Sequence, residues 1–302
     1  MTVSSLRHHA VRIGALLSLG AAGIARAEPV NLTFEQAVYV DGAKEGVPLR
    51  SPQGVACGAA GIMVADTGNE RLVSYAFRDG RVSGGTQIKL TQLTYPVSLQ
   101  LDGKGAVVAL DGKTHRLVRV DMKGTFQGYL EIRNAGGGAV MPGAFKLDSA
   151  DNLYVLDIAG RRVLAADANG VVKRQLELPK GLFTDVAADA AGTIYAVDAA
   201  DAVVWSAEKT ATAFKPLTKS LKDRMSFPTY MMTSRGKIFL VDQHGNGLVV
   251  LGIDGSYQGR QLSIGWGDGF VYYPSQICMT DEGQVLVADR DNNRVQYFNV
   301  VK

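Results

Sequence analysis

Along this chain, apolar and polar positions alternate with a period of two through short runs rich in β-branched and aromatic residues. Ile62-Met63-Val64-Ala65, Leu153-Tyr154-Val155-Leu156, Ile238-Phe239-Leu240-Val241 and Gln284-Val285-Leu286-Val287-Ala288 are examples. Such runs read as strands, and Asp102-Gly103, Asp151-Asn152, Ala191-Gly192, Arg235-Gly236 and Glu282-Gly283 mark the turns that bound them. Helical periodicity is nearly absent; Lys215 to Met225 is the one weak helical candidate.

The runs are organised by a repeat. "VADTGNERLVSYAF", from Val64 to Phe77, returns near the C-terminus as "VADRDNNRVQYF", from Val287 to Phe298. An Asp closing an apolar run recurs at Asp66, Asp111, Asp157, Asp198, Asp242 and Asp289, at spacings of 45, 46, 41, 44 and 47. Upstream of five of them stand Pro52, Pro96, Pro142, Pro228 and Pro274, with Phe183 at that place in the fourth repeat. Five residues after the Asp stand Arg71, Arg116, Arg162 and Arg294, but Val203 and Gly247 in repeats four and five. About four strands every 45 residues is the signature of a propeller, so the chain is predicted to be all-β, a six-bladed β-propeller of four-stranded blades. The Asp and Arg are read as structural corners, the carboxylate bonding its own turn and the guanidinium pairing with it. The last repeat stops after its third strand, so Asn31 to Val40, ahead of the first repeat, is expected to complete the last blade and close the ring.

The repeat resembles that of the NHL family, whose unit reads approximately "P-x-G-v-a-v-d…v-y-V-a-D-t-g-N-x-R-i-q-v-f". Repeats one and six match it closely, two and three in outline, and four and five by period and Asp, with the Pro kept in five. The resemblance runs over roughly residues 30 to 302 and implies a propeller, but it specifies a scaffold rather than an activity.

The ends alter the electrostatics. Arg7, His8, His9 and Arg12 precede an uncharged run from Ile13 to Ala25, which closes on Ala25-Arg26-Ala27. These are the parts of a secretory signal, with cleavage expected after Ala27 and residues 28–302 forming a single domain. Thirteen residues reach only about 20 Å, short of a hydrocarbon core, and no second long apolar run follows. The expectation is an exported protein, periplasmic or secreted, with no transmembrane segment after cleavage. Of the 32 Lys and Arg, three lie within residues 1–27, which hold no acid; the mature chain would balance 29 basic against 29 acidic residues. That neutrality argues against nucleic acid and anionic lipid as partners.

Candidate chemistry is sparse. The two cysteines, Cys57 and Cys278, fall in the innermost strands of blades one and six. They are a candidate disulfide across the ring seam, although their offsets of five and four residues from the preceding Pro suggest side chains pointing apart. Two buried free thiols are the other reading. After the leader only His115 and His244 remain, both at strand corners, too few for the three-histidine zinc site of the amidating lyases that share this architecture. Gluconolactonase-like and paraoxonase-like propellers hold calcium with a Glu just before the first blade's Pro, and here Leu49-Arg50-Ser51-Pro52 lacks it; Val97 stands where those families place an Asn. Asp185 is the one odd carboxylate on an inner strand and the weak metal candidate. No catalytic residue and no cofactor is expected. Ala135-Gly136-Gly137-Gly138 reads as a flexible loop.

Aromatic residues gather on the loops between blades: Trp266, Phe270, Tyr272 and Tyr273 before blade six, Phe227 and Tyr230 at blade five, Tyr95 at blade two. Such residues supply much of the energy of interfaces. The expected role is therefore a scaffold that binds another envelope or exported protein through its loop face, with peptide or glycan as lesser options. The alternative is a metal-dependent channel enzyme of lyase or lactonase type.

Overall fold

A computed structural model describes residues 30–42, 46–133 and 138–301, and the proposed leader and part of the glycine loop lie outside them. Six four-stranded antiparallel sheets form the blades of a propeller. The innermost strands, in blade order, are Gly54–Gly58, Pro96–Leu101, Pro142–Leu147, Phe183–Ala188, Pro228–Ser234 and Pro274–Met279. All run the same way along the channel. One face of the ring therefore carries the connectors between blades and the Asp corners, and the other carries the turns that follow the inner strands.

The recurring Pro and Asp are partners across one hairpin. Pro96 pairs with Asp111, Pro142 with Asp157, Pro228 with Asp242 and Pro274 with Asp289, each beside a bulge. Phe183 holds the same place opposite Asp198. Proline has no N–H for the ladder, which suits the start of a strand at a bulge. The ring closes as expected: Asn31–Val38 pairs antiparallel with Arg294–Val301 and supplies the sixth blade's outer strand. The Lys215 to Met225 stretch is not a helix. It holds a two-residue outer strand, Lys215–Pro216, followed by turns. Pro216 disfavours a helix there, and Leu217, Leu221 and Met225 pack against the core between blades four and five instead.

The core lies between blades, where sheets stack face to face. Val55, Val64 and Val73 of blade one meet Leu286, Ala288 and Tyr297 of blade six. This stacking overturns the objection to the disulfide. Cys57 and Cys278 are bonded, with Cα atoms 6.0 Å apart. Facing sheets present opposite sides to each other, so partners across the interface come from opposite strand parities, and offsets of five and four bring the thiols together.

The corners share one backbone shape. The fourth residue after each Asp has a left-handed φ between 49° and 57° in all six: Glu70, His115, Arg161, Ala202, Asn246 and Asn293. Their side chains are bonded in three different ways. Asp66, Asp157 and Asp289 bind Arg71, Arg162 and Arg294 at 2.6–2.7 Å, as read from the repeat. The pairing fails in blade two. Arg116 turns outward to Glu131 and lies 3.3 Å from the Tyr129 ring centre. Asp111 already accepts the N–H groups of Thr94, Tyr95, Lys113 and Thr114, which occupy both oxygens. In blade five, Arg260 of the outer strand reaches Asp242 at 2.8 Å, through space that a side chain at Gly247 would fill.

Candidate functional site

Two regions carry groups that the repeat does not require: the loop face and the channel. Of the ten most exposed large hydrophobic side chains among the described residues, nine lie on inter-blade connectors or corners, and Tyr257 alone lies elsewhere. The apolar surface is thus concentrated on one face. Its summit is the connector into blade six, where Trp266 is 75% and Phe270 47% exposed.

That connector is braced from below. The Arg294 guanidinium donates to the carbonyls of Gly267 (2.6 Å) and Phe270 (2.8 Å) and pairs with Asp268 at 3.1 Å. Gln296 donates to Phe270 O at 2.6 Å and accepts from Gly269 N–H at 2.9 Å. Asn292 donates to Gly265 O at 2.9 Å, and the Tyr39 hydroxyl, from the closing segment, donates to Asp268 at 3.0 Å. The corner read as purely structural therefore also positions the aromatic loop. Burial pushes the Asp289 carboxyl up, against the hydrogen bonds from Tyr272, Arg294 and Asn292.

An aromatic row leads away from Trp266. It runs to Tyr272 at 6.0 Å, Tyr273 at 5.1 Å from Tyr272, His244 at 5.5 Å and Phe227 at 4.7 Å, the last two stacked nearly parallel. His244 had no such role in the sequence, because its neighbours in the row come from connectors distant along the chain. Tyr95 stands apart, with the Lys113 ammonium 5.1 Å from its ring. Tyr230 is not on this face at all. It is the third residue of an inner strand and points into the channel, 5% exposed, where its hydroxyl accepts from Gln100 at 3.2 Å.

The channel holds the partner of Asp185 that the sequence reading missed, Lys146. Asp185 receives the Lys146 ammonium on both oxygens, at 2.8 and 2.6 Å, and the Met231 N–H at 2.7 Å. Lys146 also lies over the Tyr230 ring at 4.1 Å. Burial pushes the lysine down and the carboxyl up, while the contact geometry is that of an ion pair. The metal candidate thus already has a counter-ion, and no cluster of three metal-ligating side chains occurs among the described residues. A lone lysine on an inner strand was the available signal, and the alternation hid its neighbour. Gln276 of blade six spans to blades one and two, donating to Val55 O and Leu99 O and accepting from Leu99 N–H.

Comparison with known proteins agrees with the architecture. The NHL repeat family model matches residues 271–298. No curated protein is similar enough in sequence to match. Among solved structures, a gluconolactonase from Xanthomonas campestris superposes with TM-score 0.64 at 14% identity, covering 91% of this chain and 96% of its own. Virginiamycin B lyase from Staphylococcus aureus gives 0.62 at 11% identity, covering 90% and 100%. A chain of a nidogen/laminin complex gives 0.56 at 16% identity, covering 77% and 91%. At these identities the likeness is one of fold. With six four-stranded blades and the repeat matched in the last of them, the chain is a six-bladed β-propeller that carries an NHL repeat over residues 271–298.

Proposed function

We propose that this protein is an exported scaffold that binds another protein through its loop face, centred on Trp266 and Phe270. The observation that carries this reading is the braced connector. Two large apolar side chains stand in solvent on a loop whose backbone is held by Arg294, Gln296 and Asn292. Exposed aromatics on a pre-ordered loop bind with little further loss of conformational freedom. The surrounding exposed Ile264, Val40 and Tyr39 extend the surface along the seam of the ring. The leader-like residues 1–27 support export to the periplasm or beyond.

The fold neighbours include a lyase, a lactonase and a chain of a protein complex, so likeness of fold does not choose among functions. Metal-dependent catalysis in the channel is the second reading, favoured by the channel's open half, but its one inner carboxylate is engaged by Lys146.

A photocrosslinking amino acid placed at position 266 in intact cells tests the proposal, with the same probe at position 209 on the opposite face as control. A discrete protein adduct from 266 and none from 209 is expected, together with its loss in a Phe270→Ala background. Equal adducts from both positions, or none from 266, would overturn the reading. Cell fractionation checks export separately, and a full-length protein in the cytoplasm would refute that part.

A further inference from the structure

On the face opposite the aromatic loops, the channel opens into a cavity of about 920 Å³. That volume is in the range of small-molecule sites, about 300–1,000 Å³. The cavity is edged by the C-terminal ends of the inner strands, among them Leu101, Leu147, Met232 and Met279. It is blind. Toward the loop face a buried layer closes it: Gln276 crosses to Val55 and Leu99, Asp185 is tied to Met231, and Tyr230 is bonded to Gln100.

The propeller does not need a charged floor. The strand pairing aligns Lys146 with Gln100, Ala187, Met232, Cys278 and Ala56, and aligns Asp185 with Ser98, Ala144, Tyr230 and Gly54. No other blade places an ion at either level. A buried ion pair is commonly replaceable by apolar side chains without loss of stability. Departures from a fold's own pattern that bring no packing advantage concentrate at functional sites.

The chemistry of the floor selects a ligand class. Asp185 neutralises Lys146, and at the rim Asp148 and Asp189 are taken up by turn N–H groups and by the Tyr154 and Tyr195 hydroxyls. The same rim carries Lys209 and Arg235, whose two positive charges balance the two carboxylates, so the lining as a whole has no net charge to draw a charged ligand. An ammonium has three N–H donors and Asp185 engages at most two, so one can serve a ligand. The Gln100 amide donates to Tyr230, and its oxygen is left as an acceptor. Lys146 and Gln100 sit at one level on adjacent blades, between apolar walls. A hydroxyl, which accepts and donates at once, matches that pair.

We propose that this cavity binds an uncharged hydroxylated ring compound of sugar size, with one hydroxyl bridging Lys146 and Gln100. The site is separate from the loop face and stands or falls without it.

Saturation-transfer NMR on the mature protein is the test, with D-glucose, D-galactose and maltose as neutral probes and gluconate and glucosamine as charged counterparts. Saturable transfer to at least one neutral sugar is expected, with the charged compounds weaker. The double variant Lys146→Met/Asp185→Leu should weaken that binding by about tenfold or more, roughly one step on the affinity scale. Should that variant not fold, Gln100→Leu, which leaves the ion pair intact, should weaken it as well. No saturable transfer to any of the three neutral sugars at millimolar concentration would overturn the proposal. So would undiminished binding in the folded variants, or tighter binding of a charged compound.

Discussion

The corners of blades six and five meet the same physical demand by different routes. Each buries an aspartate completely, and each turns through a left-handed residue, Asn293 or Asn246. In blade six the counter-charge is local: Arg294, five residues on, is itself 1% exposed and also holds the connector that displays Trp266. In blade five that position is Gly247, and Arg260 arrives from the outer strand with a quarter of its side chain still in solvent. Blade two uses no arginine at all, only four backbone donors and the Thr94 hydroxyl. The fold thus conserves the shape of the corner and the satisfaction of the carboxylate, not the residue that satisfies it. Where the local arginine is kept most deeply buried, at the seam, it has taken on a second task in bracing the proposed binding loop.

The largest effect is expected from Arg294→Met. It leaves Asp289 buried without its cation and releases the 266–270 loop, and loss of one partner of a buried pair costs about 3–5 kcal/mol. Urea denaturation reads it, and a loss below about 1 kcal/mol would mean that the corner is not what holds the seam.

A sharper test asks whether the two routes are interchangeable. Arg260→Ala removes a charged hydrogen bond to Asp242, at a cost of about 1.5–3 kcal/mol. Gly247→Arg alone should destabilise, because a Cβ there would meet the Arg260 guanidinium at 2.8 Å. Introduced together with Arg260→Ala, it should instead recover part of the lost stability. That reversal of sign, read as a double-mutant cycle, is the prediction; a simple sum of the two losses would refute the equivalence of the corners.

Blade two makes the same point through pH. Burial opposes ionisation of Asp111, but the backbone N–H groups of Thr114, Tyr95, Thr94 and Lys113 prevail and hold its carboxyl below the usual range. A depressed folded value means that the stability it contributes is present above the unfolded value, about 3.9, and is lost as pH falls through the folded one. Asp111→Asn should therefore be less stable than wild type at neutral pH, and the gap should narrow below about pH 4. A gap that widens on acidification would contradict this. The smallest effect belongs to Arg116→Ala, which removes only an exposed pair with Glu131 and a contact with Tyr129, less than about 1 kcal/mol by thermal melts.

Much of the architecture was legible in the chain. The alternation, the Pro-to-Asp spacing and the missing last strand predict six blades and their closure, because each strand and hairpin is specified by residues near one another in sequence. The row from Phe227 through His244 to Trp266 was legible only in pieces, since its members come from different connectors. Tyr230 was misplaced for a related reason. It lies two residues past Pro228, inside the inner strand rather than in the connector before it, and so reaches Gln100 in the channel rather than the loop face.

By itself, then, the sequence determined the strand order, the number of blades and the position of every corner, all set by local periodicity and turn chemistry. The tertiary structure alone decided which cation reaches which aspartate, that Cys57 and Cys278 face each other, and that Lys146 and Asp185 meet in the channel. Those contacts join outer strands to corners and one blade to the next. They depend on the twist and face-to-face stacking of whole sheets, which no local pattern along the chain encodes.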